Sequence, residues 1–321
     1  MKPVVSIGLP VCNGERFLTE AIGSLLSQDH HDFELIISDN GSTDKTQEIC
    51  QCYKERDKRI LYYRSDENMG PAWNFNRVFE LSHGEYFMWA ADDDYWDPTY
   101  ISSCLDGFNR SKDIILVGTI CKSVDAQTGD SYLIDEGFST VGLRPPERFV
   151  QYKSVIHSGR HIGAVFYGLH KRDELRRVMP LRNCIAADHV ILAALCFQGE
   201  ILTVPKLLMV KRWGGTSSSI ETTASVLGIT NQFFIIFPYL MRELFFQKMI
   251  LQTDKLTLAE KVRLAVWSWW HYVQLEGRLK SGLLSPRLNS LVGRLPPYVR
   301  RYVWAMIHPA ASYRTLRSRK W

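Results

Sequence analysis

The sequence has no CxxC pair. Its seven cysteines, Cys12, Cys50, Cys52, Cys104, Cys121, Cys184 and Cys196, are odd in number and scattered. That argues against a disulfide framework or a thiolate zinc site and reads as reduced thiols in a cytosolic chain. The N-terminus shows no basic stretch, apolar run and small-residue cleavage site, so no secretory leader is expected. Long apolar runs are also missing. The richest segment, Ser225 to Met241, is interrupted by Asn231, Gln232 and Pro238. It falls short of the roughly 18 uninterrupted apolar residues of a membrane span. Neither phosphate cradle is present: "PVCNGE" follows the first strand-like run where a dinucleotide site would carry GxGxxG, and there is no GxxxxGK[ST]. Internal repeats and low-complexity tracts are absent as well.

What is present is a 321-residue chain, 45% hydrophobic and 23% charged, a globular composition large enough for a substantial core. The net charge of +5 is unevenly spread. Arg242 to Trp321 holds 15 Lys+Arg against four Asp+Glu, a balance of +11 that leaves −6 on the other 241 residues. A basic tail on a mildly acidic body suggests an anionic partner.

The first hundred residues alternate in kind. "VVSIGLPV", "FELIIS", "ILYYR" and "EYFMWA" are short, nearly all-apolar runs, as expected of strands buried on both faces. Between them lie helical spacings, including Phe17, Leu18, Ala21, Ile22, Leu25 and Leu26, with Asn13 as the expected N-cap, and a further helix over Ala72–Leu81. This β-α-β-α-β-α-β order predicts an α/β fold with a mainly parallel sheet. Ligands of such sheets bind at the carboxyl ends of the strands, and three polar clusters fall there: "PVCN", "SDNGSTD" and "ADDD". Further on, Ser123–Glu147 reads as a loop with a hairpin, and Ile162–His170 as a strand. Ala187–Gln198 reads as a helix, Glu200–Trp213 as one or two strands limited by Pro205, and the chain after Ser219 as long helices.

Three adjacent acids, Asp92, Asp93 and Asp94, close the run "FMWA". Buried carboxylates crowded together are costly without a counter-charge. A solvated acidic turn is one reading. The other is a Mg²⁺ or Mn²⁺ site completed by phosphate oxygens, which would supply the positive charge that the missing glycine cradle cannot. Position beside two other polar strand ends favours the metal. Asp188, at the start of a helix, reads from the residues alone as an N-cap. An acid there is also stabilised in its ionised form by the helix dipole, as a general base requires. Arg212 precedes the flexible "WGGTSSS" and either reaches a diphosphate or is a solvated strand-end arginine.

"SIGLPVCNGERFLTEAIGSLLSQ", "FELIISDNGSTDKT", "NMGPAWNFNRVFELSHGEYFMWAADDD" and "AADHVILAALCFQGEILTVPKLLMVKRWGGTSSS" resemble the inverting family 2 glycosyltransferases of GT-A fold, over roughly residues 4 to 219. The resemblance implies a GT-A domain over 1–219, with a nucleotide and metal half (1–122) and an acceptor half (123–219), followed by a basic, Trp-rich helical extension (220–321). It implies that Pro10, Val11, Cys12 and Asn13 line the nucleotide base and ribose. Glu15 supports that loop, Asp39 accepts a hydrogen bond from the base, and Asn68, Gly70 and Asn74 close over the nucleotide. Asp93 matches the direct metal ligand, with Asp94 beside it on the metal side and Asp92 toward ribose or donor sugar. Asp188 matches the catalytic base. The sequence departs from the family pattern at Cys12, where an aromatic is usual. It departs again at Ala91, which leaves the metal shell to the three remaining acids, and at Ala187, which leaves the base without an acidic neighbour.

The implied reaction is metal-dependent, inverting transfer of a sugar from a nucleotide-diphosphate sugar to a hydroxyl acceptor. The acceptor is expected to be a lipid-linked glycan or an envelope polysaccharide intermediate. A sugar-phosphate nucleotidyltransferase would need the absent basic glycine loop; a non-catalytic nucleotide-sugar-binding module on the membrane is the other alternative. The extension carries five of the nine tryptophans, Trp267, Trp269, Trp270, Trp304 and Trp321, among many arginines. That is the composition of helices lying in lipid headgroups, so a cytoplasmic protein peripheral at the inner membrane face is expected. Basic and aromatic residues together also suit single-stranded nucleic acid, but no nucleic-acid module is recognisable, and no such partner is expected.

Overall fold

A computed structural model describes residues 2–125, 128–133, 137–157, 163–213, 220–231 and 237–281. The glycine- and serine-rich stretch after Trp213, and the part of the extension holding Trp304 and Trp321, lie outside these residues. The chain falls into two compact units, Met1–Ile235 and Ile236–Trp321. The helix Ile220–Val226 belongs to the first unit.

The first unit is built on one mixed sheet. Strand β1 (Val5–Val11) is buried along its whole length, as its unbroken apolar sequence requires of a central parallel strand. It lies between β2 (Phe33–Asn40) and β4 (Tyr86–Trp89), parallel to both, with β3 (Ile60–Ser65) outside β2. Helices α1 (Leu18–Leu26), α2 (Thr46–Arg56) and α3 (Pro71–Glu80) make the crossovers. Leu18, Ala21, Ile22 and Leu25 of α1 form its buried stripe, at the spacing that the sequence shows. Gly8 lets α3 approach β1: a Cβ there would sit 2.8 Å from Val78 Cγ2.

Beyond β4 the order continues β8, β6, β9, β5. Strand β5 is Tyr95–Trp96 and is followed by α4 (Tyr100–Phe108); β6 is Ile114–Asp125 and pairs at its end with β7 (Ser131–Leu133). This antiparallel pairing is the hairpin expected in that region. Helices α5 (Pro145–His157) and α6 (Gly163–Phe166) precede β8 (Leu169–Lys171), and α7 (Arg172–Arg176) and α8 (Ala187–Gln198) lead to β9 (Glu200–Trp213). Because β8 is antiparallel to both β4 and β6, β6 and β9 regain the direction of β1. The carboxyl ends of β1, β2, β3, β4, β6 and β9 therefore share one edge. The strand order reverses between β1 and β4, which opens a crevice for ligand there. Strand β9 is continuous, with a register shift opposite Thr119 and Ile120 that accommodates Pro205.

Two local expectations are corrected. Among the described residues of Ile162–His170, Gly163–Phe166 is a helical turn and only the last two join a strand. Ala164, Val165 and Phe166 are all buried, and a short run buried on every side carries no periodicity to separate helix from strand. Asn13 does not cap α1. The residue before the helix is Phe17, with no side-chain cap, and Asn13 is in the left-handed region at φ 56°.

The described part of the second unit is a helical hairpin, Leu240–Gln252 and Leu258–Ser281. Thr257 and Glu260 form a reciprocal capping box at the second helix: Thr257 N–H donates to Glu260 Oε2 (3.0 Å) and Glu260 N–H to Thr257 Oγ1 (3.3 Å). The buried Glu243 carboxylate accepts from Ser268 Oγ at 2.7 Å and Gln247 Nε2 at 2.8 Å. Among the described residues no helix is long and apolar enough to cross a membrane.

Candidate active site

The loop after β1 and the turn after β2 are stitched together. Asn13 N–H donates to Ser42 Oγ (2.9 Å), and Asn13 Oδ1 accepts from Thr43 N–H (2.8 Å). Gly14 N–H donates to Thr46 Oγ1 (2.9 Å), Glu15 N–H to Asp44 Oδ2 (3.0 Å), and Lys45 N–H to Glu15 Oε2 (3.0 Å). Glu15 thus supports the loop, while Asn13 spends its amide oxygen on the neighbouring turn. The left-handed conformation of Asn13 is what swings its side chain across, and Asn tolerates that region better than most residues. At Gly14 an added Cβ would lie 2.3 Å from Asp92 Oδ2 and 2.7 Å from Val11 Cγ2, so this loop closes onto the acidic cluster only with glycine here.

Asp39 is fully buried and gives both carboxylate oxygens to the protein. Oδ1 accepts from Ser42 N–H (2.9 Å), and Oδ2 accepts from the Tyr62 hydroxyl (2.8 Å) with Arg64 Nε at 3.3 Å. It shapes the turn at the end of β2. Asn40, which the sequence did not single out, ties that strand to the 68–70 loop: its Nδ2 donates to Asn68 Oδ1 (2.9 Å) and its Oδ1 accepts from Met69 N–H (2.9 Å). Gly70 follows at φ 86° and starts α3. The Asn74 amide bridges the ends of β1 and β2, donating to Val11 O (3.3 Å) and Ser38 O (2.9 Å), and its buried Oδ1 has no partner. Cys12 lies at the rim, where Asn68 Nδ2 donates to its sulfur at 3.4 Å. Partial burial, then Asp39 and Asp92, raise its thiol pKa above the ordinary value, so it is a neutral thiol rather than a thiolate.

The three acids leave β4 beside this loop. Burial, then the charge of Asp93, pushes Asp92 up to about 7. Burial raises Asp93 and Asp94 in the same direction, against the opposing pull of Lys211. Asp94 has no exposed surface. Its Oδ1 accepts from Arg212 N–H (2.9 Å), while Oδ2 is buried with no partner. A carboxylate oxygen left this way is costly unless something positive meets it. Among the described residues no group of three or more His, Cys, Asp or Glu side chains is arranged to hold a metal. The arrangement suits a cation held by one or two of these carboxylates with phosphate oxygens completing its shell, the usual mode for Mg²⁺. The unpartnered Asp94 oxygen and the raised pKa values fit such a cation.

Arg212, at the end of β9, closes the far side. Its Nη1 donates to Asp93 O (2.7 Å), its Nη2 pairs with Glu20 Oε2 (2.7 Å), and its guanidinium lies 4.6 Å from the Phe17 ring centre. It is neither a free nor a solvated arginine. Lys211, which sequence reasoning passed over, points to the other face of β9, with Nζ 4.4 Å from the Tyr167 ring centre. Burial works against its charge, but Tyr167, Asp94 and Asp188 together raise its pKa. It is a fixed cation between the acids and α8.

Asp188 occupies the first turn of α8. The residue before the helix is Ala186, in the left-handed region at φ 59°, and no side chain caps the helix. The plain N-cap reading is therefore not what is seen. A non-glycine residue there costs on the order of 1 kcal/mol, and such strain concentrates at functional sites. Asp188 instead lines a cavity of about 270 Å³ with Pro71, Phe75, Phe166, Tyr167, Leu181 and Leu227 among its neighbours. His189 Nε2 is 3.9 Å from Asp188 Oδ2.

Comparison with known proteins decides the family. Residues 6–164 match Glycosyl transferase family 2. This region belongs to that family. A putative teichuronic acid biosynthesis glycosyltransferase, TuaG of Bacillus subtilis, is 37% identical over 95 residues, which is 30% of this chain and 38% of TuaG. The chain spans little more than a third of the length of the first curated relatives it matches. Among solved structures, S. aureus TarS 1-349 in complex with UDP-GlcNAc superposes with a TM-score of 0.59 at 17% identity, over 93% of this chain and 77% of that one. Mannosyltransferase PcManGT from Pyrobaculum calidifontis, in complex with GDP-Man and Mn²⁺, gives 0.51 at 14% identity, over 98% and 84%. These likenesses bear out the α/β, mainly parallel GT-A architecture and the family 2 resemblance.

Proposed function

We propose that the protein transfers a sugar, with inversion, from a nucleotide-diphosphate sugar to a hydroxyl acceptor. The observation that carries this is the shared edge: the stitched β1–β2 loops, the buried acids after β4 and the cavity at Asp188 all open at the carboxyl ends of the same sheet. Val11, Asn13 and the 68–70 loop provide the floor for the nucleoside. The oxygens of Asp93 and Asp94 would hold a divalent cation against the diphosphate, where it would act as a Lewis acid toward the leaving group. Structural neighbours that carry a nucleotide sugar, and in one case Mn²⁺, support the donor class.

On the other side, Asp188 takes the proton from the acceptor hydroxyl as that oxygen attacks the anomeric carbon. The bond from that carbon to the diphosphate oxygen breaks, and the proton rests on the carboxyl group. Arg212, anchored through Glu20 and Asp93, keeps the acidic loop in place and adds positive charge near the departing phosphate. A panel of nucleotide sugars, each with and without Mn²⁺, tests the proposal. One or a few should be hydrolysed in a metal-dependent way, and binding without any turnover across the panel would favour a non-catalytic nucleotide-sugar module instead.

The acceptor is proposed to reside at a membrane surface, as a lipid-linked or envelope glycan, with the second unit as the peripheral contact. In support, Leu258, Val262, Val266, Trp269 and Trp270 are exposed large apolar residues on one helix. Their spacing places them along one stripe, and Lys261 and Arg263 stand close by. Trp with Lys or Arg on such a stripe favours the headgroup region. Replacing Val262, Val266 and Trp270 together by Glu should lower flotation with anionic phosphatidylglycerol vesicles at least ~10-fold and leave donor hydrolysis unchanged. Undiminished flotation would remove this helix from the contact.

A further inference from the structure

We infer that the cavity beside Asp188 receives an acceptor sugar that presents an alkyl group, the methyl of a 6-deoxy ring or of an acyl substituent, where a common hexose presents a hydroxyl. This rests on the proposed role of Asp188 and concerns what sits next to it. The walls come from four separated segments. Phe75 rises from α3, Phe166 ends α6 and Tyr167 follows it, and Val226 and Leu227 close the far side, with Leu181 between.

This wall is held from behind. Phe166 stacks on Trp89 at 4.4 Å between ring centres, and Asn76 clamps Leu181 through both its amide atoms, at 3.1 and 2.8 Å. Asn183 Nδ2 donates to Leu227 O at 3.1 Å, which fixes the opposite wall. The polar side chains among the lining residues are Asp188, Thr223, Arg182, Tyr167 with its hydroxyl and Cys184 with its thiol; Phe75, Phe166 and Leu181 carry no polar side-chain atom. The attacking hydroxyl meets Asp188. Any further hydroxyl pressed against the Phe75, Phe166 and Leu181 wall would lose its water and gain no partner. An alkyl group there gains contact instead, and aromatic faces suit the C–H side of a pyranose ring. A volume of about 270 Å³ sits at the small end of ligand pockets. It holds one ring and its substituent, not the length of a prenyl chain.

Matched pairs of methyl glycosides test this on the full chain by saturation-transfer NMR and titration. The pairs are methyl α-L-fucoside against methyl α-L-galactoside, which differ only at the sixth carbon, and methyl N-acetyl-β-D-glucosaminide against methyl β-D-glucoside. The alkyl-bearing member of at least one pair should bind about tenfold more tightly, with the strongest saturation on its ring-substituent methyl. Val226→Trp, at a position 46% exposed and so tolerant of size, should remove that preference; Leu227→Trp is the second filling variant should the first disturb α9 (Ile220–Val226). Equal affinity within both pairs, or a preference unmoved by either filled variant, overturns the inference. Stronger binding of decanol than of any glycoside overturns it in favour of a hydrocarbon occupant. Titration with UDP and GDP in the presence of Mn²⁺ separates this from the donor reading: nucleotide binding with no glycoside preference sinks the inference alone, and glycoside preference with no nucleotide binding sinks the donor reading alone.

Discussion

Asp188→Asn is expected to lower turnover by about 10²–10⁴-fold, the usual worth of a positioned general base, while Mn²⁺-dependent nucleotide binding is retained. The replacement keeps size and hydrogen-bonding atoms but removes the proton acceptor. Its structural cost should be small, because the Asp188 side chain caps no backbone group of α8 and is about a third exposed, at 35%. A role confined to helix stability predicts the opposite pattern, a lowered melting temperature with turnover per folded molecule unchanged. The measurement that decides is single-turnover kinetics on whichever donor the panel identifies, beside a nucleotide titration of the same variant. Turnover within a factor of ~3 of the parent would take Asp188 out of the mechanism.

The second large effect concerns the acidic cluster and has a definite sign. Asp92 has its pKa raised by burial, then by Asp93, to about 7 from the ordinary carboxylate value of 3.8; Asp93 and Asp94 are raised in the same direction, first by burial. Between those limits the folded metal-free protein holds protons that the unfolded chain has released. Stability from these groups is then fully present below about pH 4 and is lost as pH rises through about 7. Melting of the metal-free protein should therefore fall across that window, and Mn²⁺ should restore much of the loss at neutral pH.

Asp94→Asn keeps an oxygen for the Arg212 N–H and removes one of three crowded charges. It should raise the metal-free melting temperature at pH 7.5 by on the order of 3 °C, what about 1 kcal/mol is worth in a large domain. The same variant should blunt the response to Mn²⁺ and depress metal-dependent turnover at least ~100-fold. Calorimetry at pH 5 and 7.5, with and without the ion, reads all of these. A variant less stable than the parent under metal-free neutral conditions would show that the buried carboxylate is satisfied by something other than a cation.

The sheet was legible because its signal is local. Val5–Val11 and Phe33–Asn40 are buried runs with no polar face to hide, and the turn residues between them mark the boundaries. The acidic triplet stood out because residue type and place after a βαβ strand mark it, whereas Asp188 reads from the residues alone as an N-cap and took its proposed role from the family resemblance. What the sequence hid are pairings across long separations. Glu20 reaches Arg212 and Asn76 clamps Leu181, over 192 and 105 residues respectively, and neither belongs to a motif. Lys211 looked like any strand-end lysine until β9 took its place in the sheet and turned it toward Tyr167. Asn13 was misread for the same reason: a capping residue before a helix is a good local bet, and the partner that claims its side chain lies in another turn. The short strand β8 was unreadable as an antiparallel member because three residues carry no alternation. It is nevertheless what returns β6 and β9 to the direction of β1.

The cross-links between the segment at Asn13 to Glu15 and the one at Ser42 to Thr46 make two stretches of chain, some thirty residues apart, behave as a single rigid plate. Entropy of ordering is spent during folding, not on each catalytic cycle. Substitutions on either stretch should consequently fail to add, since each disturbs the geometry its counterpart depends on. Attempts to alter which nucleotide is accepted would have to change both together.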